Sequence, residues 1–185
     1  LIVRNLLLGP LRYSDLLRGL PGLGTNLLAT RLQEMTDAGI LEKVKLTPMD
    51  RSSAYRLTER GHALEPALHA LGAWGQSRLD PADTFCERRF EWVLVSRGRR
   101  YLGGVTLIAE VVADEVPYRF ALSPDRADIS RGPAERPVLR LAGSEMVLAQ
   151  LFLSGRLGRL PESIDFEGES ADLLRLVNAF GACAL

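Results

Sequence analysis

The order of apolar, polar and chain-breaking residues between Arg12 and Trp74 constrains this sequence more than any other feature. Tyr13, Leu16 and Leu20 recur at helical spacing, and then Pro21-Gly22 and Gly24 interrupt the chain. Thr25 follows as a candidate helix cap; Leu28, Leu32 and Met35 then keep helical spacing up to Gly39, which suits a left-handed helix end. From Ile40 to Leu46, and again from Ser53 to Leu57, apolar residues partly alternate with charged ones, and Thr47-Pro48-Met49-Asp50-Arg51 supplies a tip between the two strands. Thr58 is placed to cap a last helix carrying Leu64, Leu68, Leu71 and Trp74, which Pro66 is expected to kink or restart.

Helix, turn, helix, basic hairpin, helix is the order of a winged helix-turn-helix, in which the second helix can lie in a DNA major groove. At about 100° per residue, Leu28, Leu32 and Met35 share one face of that helix, and Asn26, Thr30 and Gln33 share the opposite one. The expected base contacts are Thr25, Asn26, Ala29, Thr30 and Gln33, since Asn can pair with adenine through two hydrogen bonds and Ala can sit against a thymine methyl. An ordinary solvated helix face is the competing explanation. Expected phosphate contacts are Arg12 and Ser14, Arg31, and the hairpin residues Lys43, Lys45, Arg51 and Arg56. Arg31 can instead pair with Glu34 or Asp37, and a basic hairpin can merely protect a strand edge from aggregation. Leu64, Leu68, Leu71 and Trp74 form either internal core or a dimer seam; the seam is the expectation, because a small winged domain has little core to spare.

The formal net charge is zero, which by itself argues against a phosphate-binding protein. The total conceals a modest asymmetry: residues 1–60 carry 9 Lys or Arg against 6 Asp or Glu, and residues 61–185 carry 14 against 17. With 185 residues, 46% hydrophobic and 25% charged, the chain has the composition of one or two folded domains and not of a disordered segment. Cys86 and Cys183 stand far apart without a C-x-x-C or a nearby His, so neither a metal site nor a disulfide framework is expected and a cytoplasmic setting fits. No apolar run is long enough to span a bilayer, so no membrane partner is expected. Leu1 to Leu8 reads as the last turns of an amphipathic helix that begins before residue 1.

Enzyme chemistry finds no support. The sequence has neither a Gly-x-Ser-x-Gly elbow nor a Walker-type phosphate loop, and Gly155-Arg156-Leu157-Gly158 lacks the context of a dinucleotide turn. His62 and His69, seven residues apart, have no third ligand beside them, so surface or packing roles outweigh a metal or pH switch. No catalytic residue, metal or cofactor is expected.

After a connection near residues 75–84 a second domain begins. Phe90 to Tyr101 is ambiguous between helix and strand. Val105 to Val112 and Pro117 to Leu122 form a hairpin through Ala113-Asp114-Glu115, with Val105, Leu107, Ala109 and Val111 on one face and Tyr118, Phe120 and Leu122 on another. Strands near Ile129 and over Val138 to Leu141 follow, then a helix over Ser144 to Ser154, a strand over Ile164 to Phe166 and a helix over Ser170 to Phe180. The expected class is α+β, with domains at 1–79 and 80–185.

Leu8-Gly9-Pro10-Leu11-Arg12-Tyr13-Ser14-Asp15-Leu16, Leu20-Pro21-Gly22, Leu28-Ala29-Thr30-Arg31-Leu32-Gln33-Glu34-Met35, Ala38-Gly39-Ile40 and Tyr55-Arg56-Leu57-Thr58-Glu59-Arg60-Gly61 resemble the winged-helix regulators of the HxlR type. Residues 80–185 resemble, more loosely, a sterol-carrier-like α+β domain, most clearly at Ile164-Asp165-Phe166-Glu167-Gly168. The first resemblance implies a homodimeric bacterial transcription factor on a double-stranded operator, with the terminal helices of the winged domain forming the dimer. It also implies an N-terminal helix, which in some relatives holds a redox-sensing Cys. The second resemblance implies a hydrophobic small-molecule effector, with Trp92, Leu107, Tyr118, Phe120, Leu122, Met146, Leu151 and Phe152 either lining its pocket or simply filling a core. The competing expectation is an apolar small-molecule carrier whose winged domain serves only dimerisation or protein interaction.

Overall fold

A computed structural model describes residues 1–20, 22–49, 52–76, 90–98, 101–154 and 160–180. Pro21, Arg51, Cys86, Cys183, Gly155 to Gly158, most of the expected connection and the side chain of Trp92 lie outside the described residues. The chain divides into two compact units, Leu1–Asp80 and Pro81–Leu185.

The first unit contains, in order, α1 (Ile2–Leu6), β1 (Leu11–Arg12), α2 (Tyr13–Arg18), α3 (Thr25–Asp37), β2 (Leu41–Val44), β3 (Ala54–Leu57), α4 (Glu59–His62) and α5 (Glu65–Gln76). Its three strands lie in the order β1-β3-β2, all antiparallel. Leu6, Leu16, Leu28, Leu32, Leu41 and Leu57 are buried together and join α1, α2, α3 and the sheet in one core. Gly39, at φ +66°, ends α3 in the left-handed conformation expected of it.

Two local expectations need correction. The helix expected over about Arg12 to Leu20 begins at Tyr13, because Leu11-Arg12 is a short strand paired with Tyr55 and Ala54. Two residues are too few to display alternation, and the pairing partner is more than forty positions away. Thr25 is the first residue of α3 and not its cap. The extended backbone that a cap needs belongs to Gly24 (φ −68°, ψ 150°), and no side chain caps the helix. Pro66 restarts the helix after Thr58, as expected: α4 and α5 are separated at Ala63-Leu64, and Pro66 falls in the first turn of α5, where its missing N–H costs nothing. The Thr58 cap itself is present, with its Oγ1 accepting from the Gly61 N–H at 3.1 Å.

The second unit contains α6 (Phe90–Gly98), β4 (Leu107–Ala113), β5 (Val116–Ser123), β6 (Arg126–Arg131), β7 (Leu139–Gly143), α7 (Glu145–Ser154), β8 (Asp165–Gly168) and α8 (Ser170–Asn178). Its sheet runs β6-β5-β4-β7-β8, antiparallel throughout except for the central parallel pair β4–β7. The ambiguous stretch from Phe90 is helical, and its buried residues Phe90, Val93 and Leu94 keep helical spacing. In the β4–β5 hairpin, Asp114 (φ 44°) and Glu115 (φ 69°) both take the left-handed conformation of a tight two-residue turn. That turn sets Leu107 opposite Leu122, Ala109 opposite Phe120 and Val111 opposite Tyr118. Opposed residues of an antiparallel pair share a face, so these side chains form one buried layer and not two separate faces.

Phe90, Phe152 and Phe180 pack with Phe120 of that layer, Phe152 lying 5.5 Å from Phe90 and from Phe120, and 6.2 Å from Phe180, between ring centroids. At its edge, Glu91 Oε1 accepts from Tyr118 Oη at 2.9 Å and from Arg131 Nε at 2.8 Å. Burial first, and then the Glu91 charge, push the Tyr118 hydroxyl far above its ordinary pKa. Glu145 Oε1 accepts from the Phe90 N–H at 2.6 Å, tying the start of α6 to α7.

Candidate nucleic-acid interface

The second helix of the helix-turn-helix is fixed from beneath and at its start. Leu28 and Leu32 are both 0% exposed. The Tyr13 hydroxyl donates to the Thr25 carbonyl oxygen at 2.8 Å, latching the first residue of α3 to the first residue of α2. By spacing alone Tyr13 is an apolar stripe residue; its place at the opening of the first helix of the pair is the sequence signal for this latch. With that face held down, Thr25, Asn26, Ala29, Thr30 and Gln33 are all exposed. Leu27 is exposed as well, but it borders an open apolar groove of about 470 Å³, with Leu1, Val3, Leu23 and Met35, away from the Asn26–Thr30 face.

The polar face is graded along its length. Thr30 Oγ1 donates back to the Asn26 carbonyl at 3.0 Å, which uses its proton and leaves its lone pairs to accept. Gln33 Nε2 donates to Asp37 Oδ1 at 2.8 Å, and Arg31 Nη1 donates to Glu34 Oε2 at 2.6 Å. The second half of α3 therefore carries two carboxylates, Glu34 and Asp37, each bonded to a neighbouring side chain of the same helix. Arg31 takes the internal partner weighed for it, in a pair whose members are 57% and 52% exposed. A pair this open contributes between zero and about 1 kcal/mol, so phosphate can compete for the guanidinium.

On the hairpin, Arg56 Nε and Nη2 donate to Glu42 Oε1 across the β2–β3 ladder at 3.0 and 2.8 Å. Lys43 lies with its Nζ 5.8 Å from the centre of the Tyr55 ring. Lys45 is exposed and paired with no acid among the described residues. Ser14 is exposed in the first turn of α2, and Arg12, just before it, is partly buried. Among the described residues the wing cations divide into one engaged with an acid (Arg56) and two that are not (Lys43, Lys45).

The other expected groups are distributed as follows. Leu64, Leu71 and Trp74 are 39%, 63% and 61% exposed, whereas Leu68 turns inward against the first unit's core. In the second unit Leu107, Tyr118, Phe120, Leu122, Leu151 and Phe152 are buried together, but Met146 is 69% exposed. Met146, in the first turn of α7, stands apart from the buried set. No group of three or more His, Cys, Asp or Glu among the described residues is arranged to hold a metal, and no helix among them is long and apolar enough to cross a membrane.

A family model for the HxlR-like helix-turn-helix matches residues 1–83, the part of the chain that holds α3 and the hairpin. The HTH-type transcriptional regulator YodB of Bacillus subtilis (strain 168) is 33% identical over 87 residues, covering 47% of this chain and 78% of YodB. The uncharacterized HTH-type transcriptional regulator YvaP of the same organism is 33% identical over 82 residues, covering 44% of this chain and 76% of YvaP. The structure of reduced YodB from B. subtilis aligns at 30% identity over 44% of this chain and 80% of that one, with a TM-score of 0.39. Each of these matches spans less than half of the sequence. With a third of the aligned residues shared and most of YodB covered, the chain belongs to the HxlR-like helix-turn-helix family.

Proposed function

We propose that the chain is a DNA-binding transcriptional regulator that acts as a homodimer on a roughly palindromic operator. The observation that carries this is the face of α3 formed by Asn26, Ala29 and Thr30, exposed on the side of the helix opposite buried Leu28 and Leu32. Names given to the relatives, HTH-type transcriptional regulators, point the same way. In this reading Asn26 hydrogen-bonds a base edge, Thr30 accepts from one, and Ala29 rests on a thymine methyl. Lys43, Lys45 and Ser14 meet phosphate, and Arg31 and Arg56 exchange a carboxylate for phosphate on binding. Gln33 is the weakest of the base contacts, since Asp37 both occupies its amide and repels the backbone.

The dimer is proposed along α5. Leu71 and Trp74, on one side of α5, and Leu64, just before its start, are exposed in a single chain, as a self-complementary apolar seam requires. Two-fold symmetry then sets the half-sites one helical turn apart, about 34–36 Å, or a multiple of it. Replacing Leu71 with Glu should yield monomers by sedimentation and lose cooperative binding to the paired half-sites.

The direct test is selection of bound DNA from a random pool, followed by footprinting of the variant carrying both Asn26→Ala and Thr30→Ala. Loss of sequence preference, with weak salt-sensitive binding retained, is the expected result. Footprints identical to the parent would remove α3 from base recognition. A hydrophobic effector at the second unit is a separable part of the proposal, suggested by its buried apolar layer. Such a ligand has to part the rings around Phe152, so it should raise the unfolding temperature of that unit; saturating fatty acid or sterol without such a rise would exclude those classes.

A further inference from the structure

Helix α3 is poorly finished by its own residues. No side chain caps its start, and its last turn holds Glu34 and Asp37 but no basic residue. Carboxylates there face the negative end of the helix dipole, so the last carbonyl groups of α3 need donors from elsewhere. The stretch that follows β3 supplies them. Arg60 Nη1 donates to the Ala38 carbonyl at 3.1 Å, Thr58 Oγ1 to the Gly39 carbonyl at 2.7 Å, and the Thr58 N–H to the Ile40 carbonyl at 3.1 Å. Gly61 lies so close behind them that a Cβ would meet the Ile40 carbonyl oxygen. The single turn of α4 is thus clasped to the end of the recognition helix.

The same turn leads into α5, the helix of the apolar seam. Among the described residues α5 has no buried side chain, and half-buried Leu68 packs it against the core. The direction of α5 relative to α3 therefore depends on α4. Asn26 stands twelve residues from Ala38, which is about 18 Å along the helix. A rotation of about 10° at that joint carries Asn26 about 3 Å, close to the rise of one base pair, about 3.4 Å. We propose that Arg60 is a positioning residue: by holding the Ala38 carbonyl to α4, it fixes the separation of half-sites that the dimer accepts. It acts through α3 and reads no base itself. The inference rests on the dimeric DNA-binding function proposed above, and it concerns the distance between two α3 sites, not the bases read by either.

The test uses the full chain with the selected palindromic operator, the same operator with one base pair added or removed at its centre, and a single half-site. Wild type should bind the selected spacing about tenfold more tightly than the altered ones, the scale of one mismatched base pair. Arg60→Ala should lose most of that tenfold and keep the parent's preference for the half-site over a scrambled duplex. Arg60→Lys, whose ammonium can still donate to the Ala38 carbonyl, should retain the spacing preference. Arg60 is exposed, so both variants should fold, which a melting curve checks. An Arg60→Ala protein with the parent's spacing ratio overturns the proposal. Equal weakening on every duplex, with a salt slope lower by about one unit, also overturns it, as the mark of a direct phosphate contact. Loss of half-site preference in step with spacing preference does the same, as the mark of a disordered α3. In each of these cases the α3 site stands as long as Asn26→Ala abolishes sequence preference in the wild-type background. If wild type selects no sequence, or binds paired and single half-sites alike, the dimeric function fails and the role of Arg60 with it.

Discussion

Lys45 and Gly61 show how single positions divide between binding and folding. Lys45, exposed and without an acidic partner among the described residues, offers a whole positive charge to phosphate. Lys45→Ala should therefore weaken binding to every DNA sequence alike and reduce the salt slope by about one unit, measured by titration over a range of salt. Arg56→Ala should change the slope less, because removing it also frees the Glu42 carboxylate to repel the backbone. Gly61 is buried in α4 where a Cβ would run into the Ile40 carbonyl oxygen and come within 2.9 Å of Leu57 Cδ2. Gly61→Ala should thus lower stability by about 1–3 kcal/mol, despite the better helix propensity of Ala, as read from denaturant melts. At this scale the sequence was most legible where periodicity decides: Leu28 and Leu32 against Asn26 and Thr30 needed only the helical repeat. It was least legible where partners are distant, as in the pairing of Leu11 with Tyr55 or the reach of the Tyr13 hydroxyl to Thr25.

Elements were readable in proportion to their length and their local chemistry. The long α3 and the hairpin signalled themselves through repeats and turn residues, and α7, β8 and α8 did so through apolar runs bounded by Gly, Ser and Pro. Strand β1 escaped because two residues have no period, and α6 because Trp92-Val93-Leu94-Val95 suits a buried helix and a buried strand equally well. Thr58 is the residue that joins elements in the first unit. Its hydroxyl donates to the Gly39 carbonyl at 2.7 Å and accepts from the Gly61 N–H, so the end of α3, the start of β2 and the start of α4 meet at one side chain. Thr58→Ala should cost about 1–2 kcal/mol, at the upper end for a helix cap, and should weaken DNA binding indirectly by loosening the base of the wing. In the second unit, Tyr118 holds α6 against β5 through Glu91. A phenol whose folded pKa lies above its unfolded value contributes stability that is present below pH 10 and is lost as pH rises beyond it. Alkaline melts of the second unit should therefore fall more steeply for the wild type than for Tyr118→Phe, which has no proton to lose.

Across the whole chain, the two units hold separate cores, one centred on Leu16, Leu28 and Leu32 and the other on Phe120, Phe152 and Phe180. Calorimetry should resolve two transitions. Leu32→Ala should lower one of them by about 2–5 kcal/mol and abolish specific DNA binding, and Phe152→Ala should lower the other by about 3–5 kcal/mol and leave α3's sequence preference intact. The strand order of the second sheet has a consequence for how the protein is made. Central β4 pairs with β5 as soon as their tight turn forms, but its other edge waits for β7, which arrives only after β5 and β6 have been synthesised. Because translation proceeds from the N-terminus, the recognition helix and wing can be complete on the ribosome while β4 still presents an open edge, the kind of surface on which nascent chains stick to one another. Slow codons or chaperone occupancy would therefore matter most just before Leu139, long after the DNA-facing half has folded.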